Sequence, residues 1–199
     1  MTHDTTKYEQ RIQQRSRWHY YVGLIARYRS HLKHQRAIRI ARRRGATIGE
    51  AVVMPISLAK KANENLVVGN HVSIQTDQLD LRNKITIGNY VIIGAGTEII
   101  TESHNIDSPE WEVKKYGLVI EDYVWLPTKV LVLPSCRRIG KGAVVGAGSV
   151  VVKDVDEMSV VSGNPAKEFR KRKCVHNELV VESLRAGDYK IYKEARKKK

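Results

Sequence analysis

A six-residue repeat in the middle of the chain constrains its fold more than any other feature. Clear units start at aliphatic residues and form three consecutive triplets, at Ile87, Ile93, Ile99, Ile120, Leu126, Val132, Ile139, Val145 and Val151. Isolated units start earlier, at Ile48 and Val68. Glycine follows the aliphatic residue in six units, and the fifth position is small or β-branched. A fixed short period of this kind predicts a fold that stacks one small unit many times.

The spacing within each unit indicates how the units stack. The fifth residue of one unit and the first residue of the next are two positions apart, so on a strand they point to the same face. Glycine at the second position removes a Cβ where the chain turns. Three short strands per coil would then form a triangular prism with coils about 4.8 Å apart. We predict an all-β core, a parallel β-helix over residues 45–166. An antiparallel sandwich is the alternative, but it does not require a six-residue period, so three regular triplets would arise in it only by chance.

Charge divides the chain into a core and two basic flanks. Residues 1–44 carry twelve Lys or Arg and two acids, and residues 167–199 carry twelve and five. The middle carries eleven and fourteen, so the formal net charge of +14 comes from the two ends. This distribution argues against a nucleic-acid interface on the core, and we expect no nucleic-acid partner.

The N-terminal flank has the pattern of amphipathic helices. Apolar residues recur at helical spacing between Arg and Lys residues, at Trp18, Val22, Ile25, Tyr28 and Leu32. Two roles stay open for this helical segment, 1–44. It could cap the open end of the prism, or it could lie on an anionic membrane near a lipid-linked glycan. For residues 167–199 we predict a short helix and a basic tail.

Cysteine use and hydropathy indicate a cytoplasmic protein. Cys136 and Cys174 lie far apart in the sequence, which fits reduced thiols better than a disulfide framework. No apolar run approaches the roughly 18 residues of a membrane span. We therefore expect a cytoplasmic location, with peripheral contact to the inner face of the membrane through the basic flanks as a second expectation.

The repeat breaks after the Ile99 unit and resumes at Ile120, and His104 stands at the break. In the phase of the repeat, Ser103 is a fifth position that points inward, so His104 should point outward at the start of a loop over 104–118. Imidazole exchanges protons near neutral pH and can remove the proton that makes an alcohol a poor nucleophile. His104 is therefore a candidate general base, the alternative being a solvated surface histidine. Either Glu102 or Asp107 could orient it, and the sequence leaves that choice open.

Five segments resemble the hexapeptide-repeat acyltransferases, and most closely the sugar and polysaccharide O-acetyltransferase branch. They are ITIGNYVIIGAGTEII, SHNID, VIEDYVWLPTKVLVLP, IGKGAVVGAGSVVVKDV and SGNPAKEFRKR, within about residues 45–172. The resemblance implies a left-handed parallel β-helix, a homotrimer, and acetyl-CoA bound in a cleft between subunits. It also implies that His104 is the catalytic base. A catalytic zinc held by histidines needs three of them, and the repeat contains only His71 and His104. We therefore expect no metal.

The resemblance assigns candidate contacts to CoA. Trp125 matches a tryptophan of the family, and Thr128 matches a position whose backbone N–H lies near the thioester. Gly146 and Ala147 belong to a stretch that contacts the pantetheine arm in relatives. Three residues match basic positions of the family and are candidates to bind the CoA phosphates, namely Lys153, Lys167 and Arg170.

Two departures from the family pattern bear on this cleft. Pro127 stands where the family usually has glycine, which removes a backbone donor beside the thioester. The unit that starts at Val132 has seven residues before Ile139 instead of six. We expect a bulge at that corner.

The expected activity is acyl transfer from acetyl-CoA to a hydroxyl of a sugar or polysaccharide precursor. Both substrates would meet in one ternary complex, so neither cysteine is needed as a nucleophile. An N-acetyltransferase acting on an amino sugar nucleotide is an alternative within enzymes. A non-catalytic, membrane-associated β-helix scaffold is an alternative of another class. The acceptor itself is not readable from the loops that would bind it.

Overall fold

The computed structural model describes residues 6–197 and shows the repeat as a prism of short strands. In chain order the strands are β1 (Thr47–Ile48), β2 (Leu66–Val68), β3 (Ser73–Ile74), β4 (Ile85–Ile87), β5 (Ile92–Ile93), β6 (Glu98–Ile99), β7 (Glu102–His104), β8 (Val113–Lys115), β9 (Leu118–Ile120), β10 (Trp125–Leu126), β11 (Leu131–Val132), β12 (Arg138–Ile139), β13 (Val144–Val145), β14 (Val150–Val151), β15 (Ser159–Gly163) and β16 (Ala166–Lys171). The helices are α1 (Lys7–Gln13), α2 (Arg17–Arg43), α3 (Ile56–Lys61), a 3₁₀ turn (Val181–Arg185) and α4 (Tyr189–Ala195).

Three sheets form the faces of the prism. Face 1 has the strand order β1-β2-β4-β9-β12, face 2 has β16-β15-β13-β10-β5-β3, and face 3 has β14-β11-β6. Neighbouring strands of different coils pair in parallel, for example Ile87 beside Ile120. Only β16, which pairs with β15, runs antiparallel within these faces. The parallel β-helix predicted from the six-residue period is therefore present.

The inward positions are those that the period predicts. The first-position residues of the three triplets are all at most 1% exposed. Fifth-position residues such as Val91, Val124 and Ala143 are fully buried beside them. Each burial of a Val, Leu or Ile side chain contributes roughly 1.5–3 kcal/mol, so the stacked inward pairs provide the main stabilisation of the prism.

The edge between faces 1 and 2 shows how coils keep their register. Asn70 accepts a hydrogen bond from Glu50 N (2.8 Å), and Asn89 accepts one from Asn70 N (2.9 Å). Asp122 continues this ladder by accepting from Asn89 N at 2.6 Å. The following residues, His71, Tyr90 and Tyr123, have left-handed backbones, and their rings stack at 4.8 and 4.9 Å. That ring spacing equals the spacing of paired strands, so the same repeat supports both interactions.

The seven-residue unit keeps the ladder in register. The N–H groups of Arg137 and Arg138 both donate to Asp154 Oδ1, at 2.6 and 3.0 Å. Arg138 then pairs with Val119 without a register shift. The extra residue lies in the corner where the bulge is expected, and the carboxylate of Asp154 fixes it there.

The N-terminal helices close the first end of the prism. The second half of α2 packs Ala37, Ile38 and Ala41 into the core, next to Leu58 and Ala59 of α3. The apolar stripe that predicted this helix is not the part that packs, because its five residues are 48–75% exposed. The capping contact comes from smaller residues on the opposite side of α2.

The C-terminal flank differs from the prediction. A strand that the prediction for 167–199 does not include, β16, pairs with β15 and precedes the helix. The helix comes later, as α4, and its Tyr192 stacks on Tyr20 of α2 at 5.2 Å. Asp188, at the start of α4, accepts from Arg27 Nε at 3.0 Å. Helix α4 is therefore packed against the N-terminal helices, while Lys198, Lys199 and residues 1–5 lie outside the described residues.

No helix within residues 6–197 is both long enough and apolar enough to cross a bilayer.

Gly140, at the turn after β12, lies so close to the next coil that we expect no larger residue to fit there. A Cβ on Gly140 would lie 2.5 Å from Glu157 N and 2.8 Å from Asp156 C, which are backbone atoms of the next coil. We expect Gly140→Ala to lower the free energy of unfolding by about 3 kcal/mol through overpacking. Urea titration followed by circular dichroism measures this change.

The control is Gly148→Ala. Gly148 has φ +70° but no heavy atom within 4 Å of its added Cβ. Its cost should be about 1 kcal/mol, from backbone strain alone. A larger loss in Gly148→Ala than in Gly140→Ala would contradict the proposed close approach of coils.

Candidate active site

A hairpin interrupts the prism after face 3 of the third coil and carries His104. Strands β7 and β8 pair antiparallel, with His104 opposite Val113. The prediction that Ser103 points inward is wrong, because Ser103 is exposed. The last inward residue before the hairpin is Thr101, at 1% exposure. The chain therefore leaves the prism two residues earlier than the repeat suggested, and the excursion starts before residue 104.

His104 is exposed and its ring is oriented by the hairpin itself. Its Nδ1 lies 2.8 Å from the carbonyl oxygen of Trp111, and its ring stacks on the Trp111 indole at 5.3 Å with a 21° tilt. A carbonyl oxygen only accepts, so the hydrogen of the neutral imidazole sits on Nδ1. Nε2 then carries the lone pair that a general base needs.

Trp111 is thus an orienting group that the sequence did not reveal. We weighed Glu102 and Asp107 for this role, and among the hydrogen bonds of residues 6–197 neither carboxylate reaches His104. The contact is made by a backbone carbonyl, which side-chain motifs do not encode. Trp111 also has a left-handed backbone (φ 54°), and its residue type does not predict that conformation.

An ionic network fixes the base of the hairpin to the preceding coil. Asp80 accepts two hydrogen bonds from the Arg82 side chain, at 2.7 and 2.8 Å, and one from Thr101 N at 3.0 Å. Arg82 also binds Glu102 at 2.6 Å, and Asn83 donates to Glu102 at 3.2 Å. Glu102 therefore holds the first strand of the hairpin in place, two residues before His104.

The acidity of Asp80 reflects this network. Burial alone would raise the pKa of its carboxyl group, but the hydrogen bonds from Arg82 and from Thr101 N–H outweigh burial. The pKa of Asp80 is held well below its ordinary range. The carboxylate is therefore charged at neutral pH.

The edge between faces 2 and 3 exposes two backbone donors. It includes Thr128 and Ala147, both exposed, whose coils are joined by a hydrogen bond from Gly148 N to Thr128 O at 3.0 Å. Across the described part of the chain, no protein acceptor receives the N–H of Thr128 or of Ala147. Gly94 and Gly146 each donate a backbone N–H to the next coil. Pro127, at the equivalent position, has no N–H, so one inter-coil hydrogen bond is missing there. Free N–H groups at an exposed edge are suited to a polar ligand.

A cavity of about 370 Å³ lies on face 2 next to this edge. Trp125, Thr128 and Gly94 line it together with Arg172 and His176. His176 falls in the flank 167–199, for which the sequence predicts a short helix and a basic tail. Instead its Nε2 donates to Tyr90 O at 2.7 Å, and its Nδ1 accepts from Arg172 at 2.9 Å. Burial, with the nearby Arg172 cation, lowers the pKa of His176 although the Tyr90 carbonyl opposes the shift.

Of the three basic residues predicted to bind the CoA phosphates, Lys167 and Arg170 lie on β16 and Lys153 lies at a different edge of the prism. Lys167 pairs with Ser162, whose side chain lies against Gly146, so it stands one coil beyond the exposed donors. Arg170 pairs with Val160, farther along β16. Lys153 follows β14 and lies at the edge between faces 3 and 1. The three cations therefore do not form one cluster within the chain.

Neither cysteine is arranged as a nucleophile. Burial, followed by the charge of Asp154, raises the pKa of the Cys136 thiol to about 12. Cys174 is exposed, and both cysteines are unpaired. Among the residues that the structure describes, no three His, Cys, Asp or Glu side chains group as they would around a metal ion.

His104 and the exposed donors lie at different edges of one prism. The hairpin leaves between faces 3 and 1, whereas Thr128 and Ala147 lie between faces 2 and 3. Face 3 separates them, so one chain does not bring them together. An arrangement that uses both needs a neighbouring chain to supply one of the two edges.

Comparison with curated proteins finds acetyltransferases. "Putative colanic acid biosynthesis acetyltransferase WcaF" of Escherichia coli is 35% identical over 129 residues, which cover 64% of this chain and 70% of that protein. The galactoside O-acetyltransferase of Lactococcus lactis is 35% identical over 119 residues, covering 57% and 50%. A protein of Schizosaccharomyces pombe named as a putative acetyltransferase is 39% identical over 93 residues, covering 44% and 43%. The chain thus spans about half the length of the last two relatives. No protein-family model matches it.

Solved structures share the fold. A galactoside acetyltransferase in complex with coenzyme A superposes with a TM-score of 0.54 at 19% identity, covering 85% of this chain and 84% of the other. A hexapeptide-repeat containing acetyltransferase from Vibrio cholerae gives 0.51 at 22% identity, covering 85% and 95%. At these identities the likeness concerns the fold alone.

The network under the hairpin predicts a pH-dependent stability. Asp80→Asn removes the charge that binds Arg82 and Thr101, and we expect it to lower the free energy of unfolding by about 1–3 kcal/mol at pH 7. The folded-state pKa of Asp80 is depressed, so its contribution is present above the unfolded pKa of about 3.9 and declines as pH falls below that value. Urea titrations from neutral to acidic pH measure the gap between the two proteins.

The matched control is Asp77→Asn, a half-buried acid whose Oδ2 lies 3.8 Å from Lys61 Nζ. It should change stability little at either pH. A wild-type advantage over Asp80→Asn that stayed constant below about pH 4 would mean that the network does not hold the carboxylate charged.

Proposed function

This chain belongs to the hexapeptide-repeat acetyltransferases, in the sugar O-acetyltransferase branch, and on that premise we propose that it transfers acetyl from acetyl-CoA to a hydroxyl of a sugar or polysaccharide precursor. One observation carries the proposal: His104 projects from a hairpin with Nδ1 bound to a carbonyl and Nε2 free. That is the tautomer and the exposure that a base acting on a bulky acceptor requires.

His104 would act on the acceptor hydroxyl. Its Nε2 accepts the hydroxyl proton while the oxygen bonds to the acyl carbon, and the carbon–sulfur bond breaks. The proton that His104 has taken then goes to the departing thiolate. Trp111 O keeps the hydrogen on Nδ1 throughout, so the ring gains positive charge against a fixed acceptor. No acyl-enzyme is needed, which agrees with the buried, high-pKa thiol of Cys136.

The residues around the exposed donors fit acetyl-CoA, which would supply the activated acyl group. The N–H of Thr128 would donate to the acyl oxygen as negative charge develops there. Gly146 and Ala147 would lie along the pantetheine arm, with Trp125 at the wall of the neighbouring cavity. Lys167, Arg170 and Lys153 would bind phosphates as cations.

We further propose that the active form is a homotrimer with a left-handed coil, as the family pattern implies. The separation of His104 from Thr128 by face 3 supports a cleft between neighbouring chains, because a cyclic trimer can place the hairpin of one chain against that edge of the next. A monomeric mass in solution by light scattering would rule out the shared cleft. A crystal structure would test the handedness. The unpaired cysteines agree with action in the cytoplasm.

Replacing the base should abolish turnover without unfolding the protein. We expect His104→Gln to lower kcat/KM for acetyl-CoA and a sugar acceptor by roughly 10²–10⁴-fold, because the alcohol keeps its proton. Release of the CoA thiol, followed with a thiol reagent over a panel of sugars and amino sugars, measures the rate. An amino group preferred over every hydroxyl would favour the N-acyl alternative.

The matched control is His19→Gln, which changes an exposed histidine at the start of α2. It should retain the wild-type rate. Equal thiol release by wild type and His104→Gln would remove His104 from the mechanism, and no acceptor-dependent release by wild type would leave the scaffold alternative.

A cleft shared between chains predicts complementation. Thr128→Pro removes the N–H donor and His104→Gln removes the base, so each protein alone should be inactive. When equal amounts of the two variants assemble at random, about a quarter of all interfaces place an intact His104 beside an intact Thr128. Refolding the two variants together should therefore restore about a quarter of the wild-type rate.

A second pair guards against misfolding of the proline variant. Ala147→Trp places a large ring on the same exposed edge and should complement His104→Gln in the same way. Folded trimers of both mixtures that remain inactive would show that the two groups work within one chain or not at all.

A further inference from the structure

The outward side of α2 is an exposed apolar surface. We call it the α2 stripe, and its members are Trp18, Tyr21, Val22, Ile25, Tyr28 and Leu32. Each is between 48% and 75% exposed. At 3.6 residues per turn they fall within a sector of about 120° on one side of the helix. Exposed apolar residues on this scale, contiguous and on one element, mark an interaction surface.

The opposite side of α2 already makes the contacts that the fold needs. Tyr20 stacks on Tyr192, and Arg27 binds Asp188, so α4 holds the first half of the helix. Ala37 and Ala41 hold the second half in the core and are fully buried. The helix is therefore fixed in orientation, and the α2 stripe faces solvent except at its edge, where the Tyr28 ring lies 5.2 Å from the Tyr189 ring of α4.

The stripe is continuous with a row of positive charge. Helix α2 has eight Lys or Arg residues and no acidic residue. Four arginines fall in the same outward sector as the stripe, namely Arg29, Arg36, Arg39 and Arg43, and all four are exposed. The first half of this side is thus mainly apolar and aromatic, and the second half is cationic.

We propose that this side of α2 binds the surface of a membrane that contains anionic lipids. Trp and Tyr side chains favour the level of the lipid headgroups, while Ile, Val and Leu enter the acyl boundary below it. Exposed arginines beside them attract anionic headgroups, at about fivefold in partitioning for each cation. The helix is too polar to cross the bilayer, so it lies in the plane of the surface.

Charge favours this occupant over a second copy of the chain. Two copies that met through the α2 stripe about a two-fold axis would bring two acid-free cationic helices together, and their like charges would repel. An anionic bilayer complements both parts of the surface at once. This proposal concerns where the protein sits and does not depend on the acyl transfer proposed above.

Sedimentation with vesicles tests both parts of the surface. Wild-type protein should pellet with vesicles of equal parts phosphatidylcholine and phosphatidylglycerol, and far less with phosphatidylcholine alone. Arg36→Gln/Arg39→Gln should weaken partitioning about 25-fold. Ile25→Gln/Leu32→Gln should weaken it at least about tenfold through lost apolar burial. Circular dichroism checks that both proteins remain folded.

The matched control removes the same residue classes elsewhere. Phe169→Gln/Lys173→Gln changes one apolar and one cationic side chain, both exposed, outside the helical end of the protein. It should bind vesicles like wild type. A comparable loss in this control would mean that binding follows net charge and not the α2 stripe.

Tryptophan emission gives a second, local readout. Trp18 lies in the stripe, whereas Trp125 lies on face 2. Adding anionic vesicles should shift the emission of wild type and of Trp125→Phe to shorter wavelength, and should not shift that of Trp18→Phe.

Two results would overturn the proposal. One is the absence of wild-type binding to the mixed vesicles. The other is a change in oligomeric mass in Ile25→Gln/Leu32→Gln with vesicle binding unchanged, which would make the stripe a contact between chains.

Discussion

The hydrogen bonding of each coil to the next is the constraint on which the rest of the structure depends. A strand of two or three residues is too short to be stable alone, and it persists here because the same strand recurs directly above and below it. The ladder of Asn70, Asn89 and Asp122 and the ring stack beside it repeat at the strand spacing. A group placed at any corner is therefore held by coils on both sides, which gives the candidate site a rigid base.

The hairpin shows how an irregular segment can be precise. It leaves a rigid prism through Thr101, is held by Asp80 and Arg82, and orients His104 through a carbonyl of its own return strand. Charged contacts lie at its base, and the imidazole at its far end is exposed. The base of the hairpin is thus held rigidly while its far end is accessible, which suits a general base that must contact a large acceptor.

The sequence predicted well what is periodic and poorly what depends on contacts across the fold. Strand phase and the inward residues of the nine units follow from counting in sixes. The inward placement of Ser103 failed because Asp80, about twenty residues earlier, captures Thr101 and turns the chain out sooner. The partner of His104 was missed because it is a backbone carbonyl. The apolar stripe of α2 predicted a helix correctly but not its orientation, which the smaller residues and Asp188 decide.

Strand β16 has a consequence for assembly. A stack of parallel strands ends in unpaired N–H and C=O groups, and such an end can add another molecule indefinitely. On face 2 the chain reverses and pairs β16 against β15, while α2 and α3 cover the first coil. A second copy could extend face 2 end to end only by displacing β16 at one end or the N-terminal helices at the other.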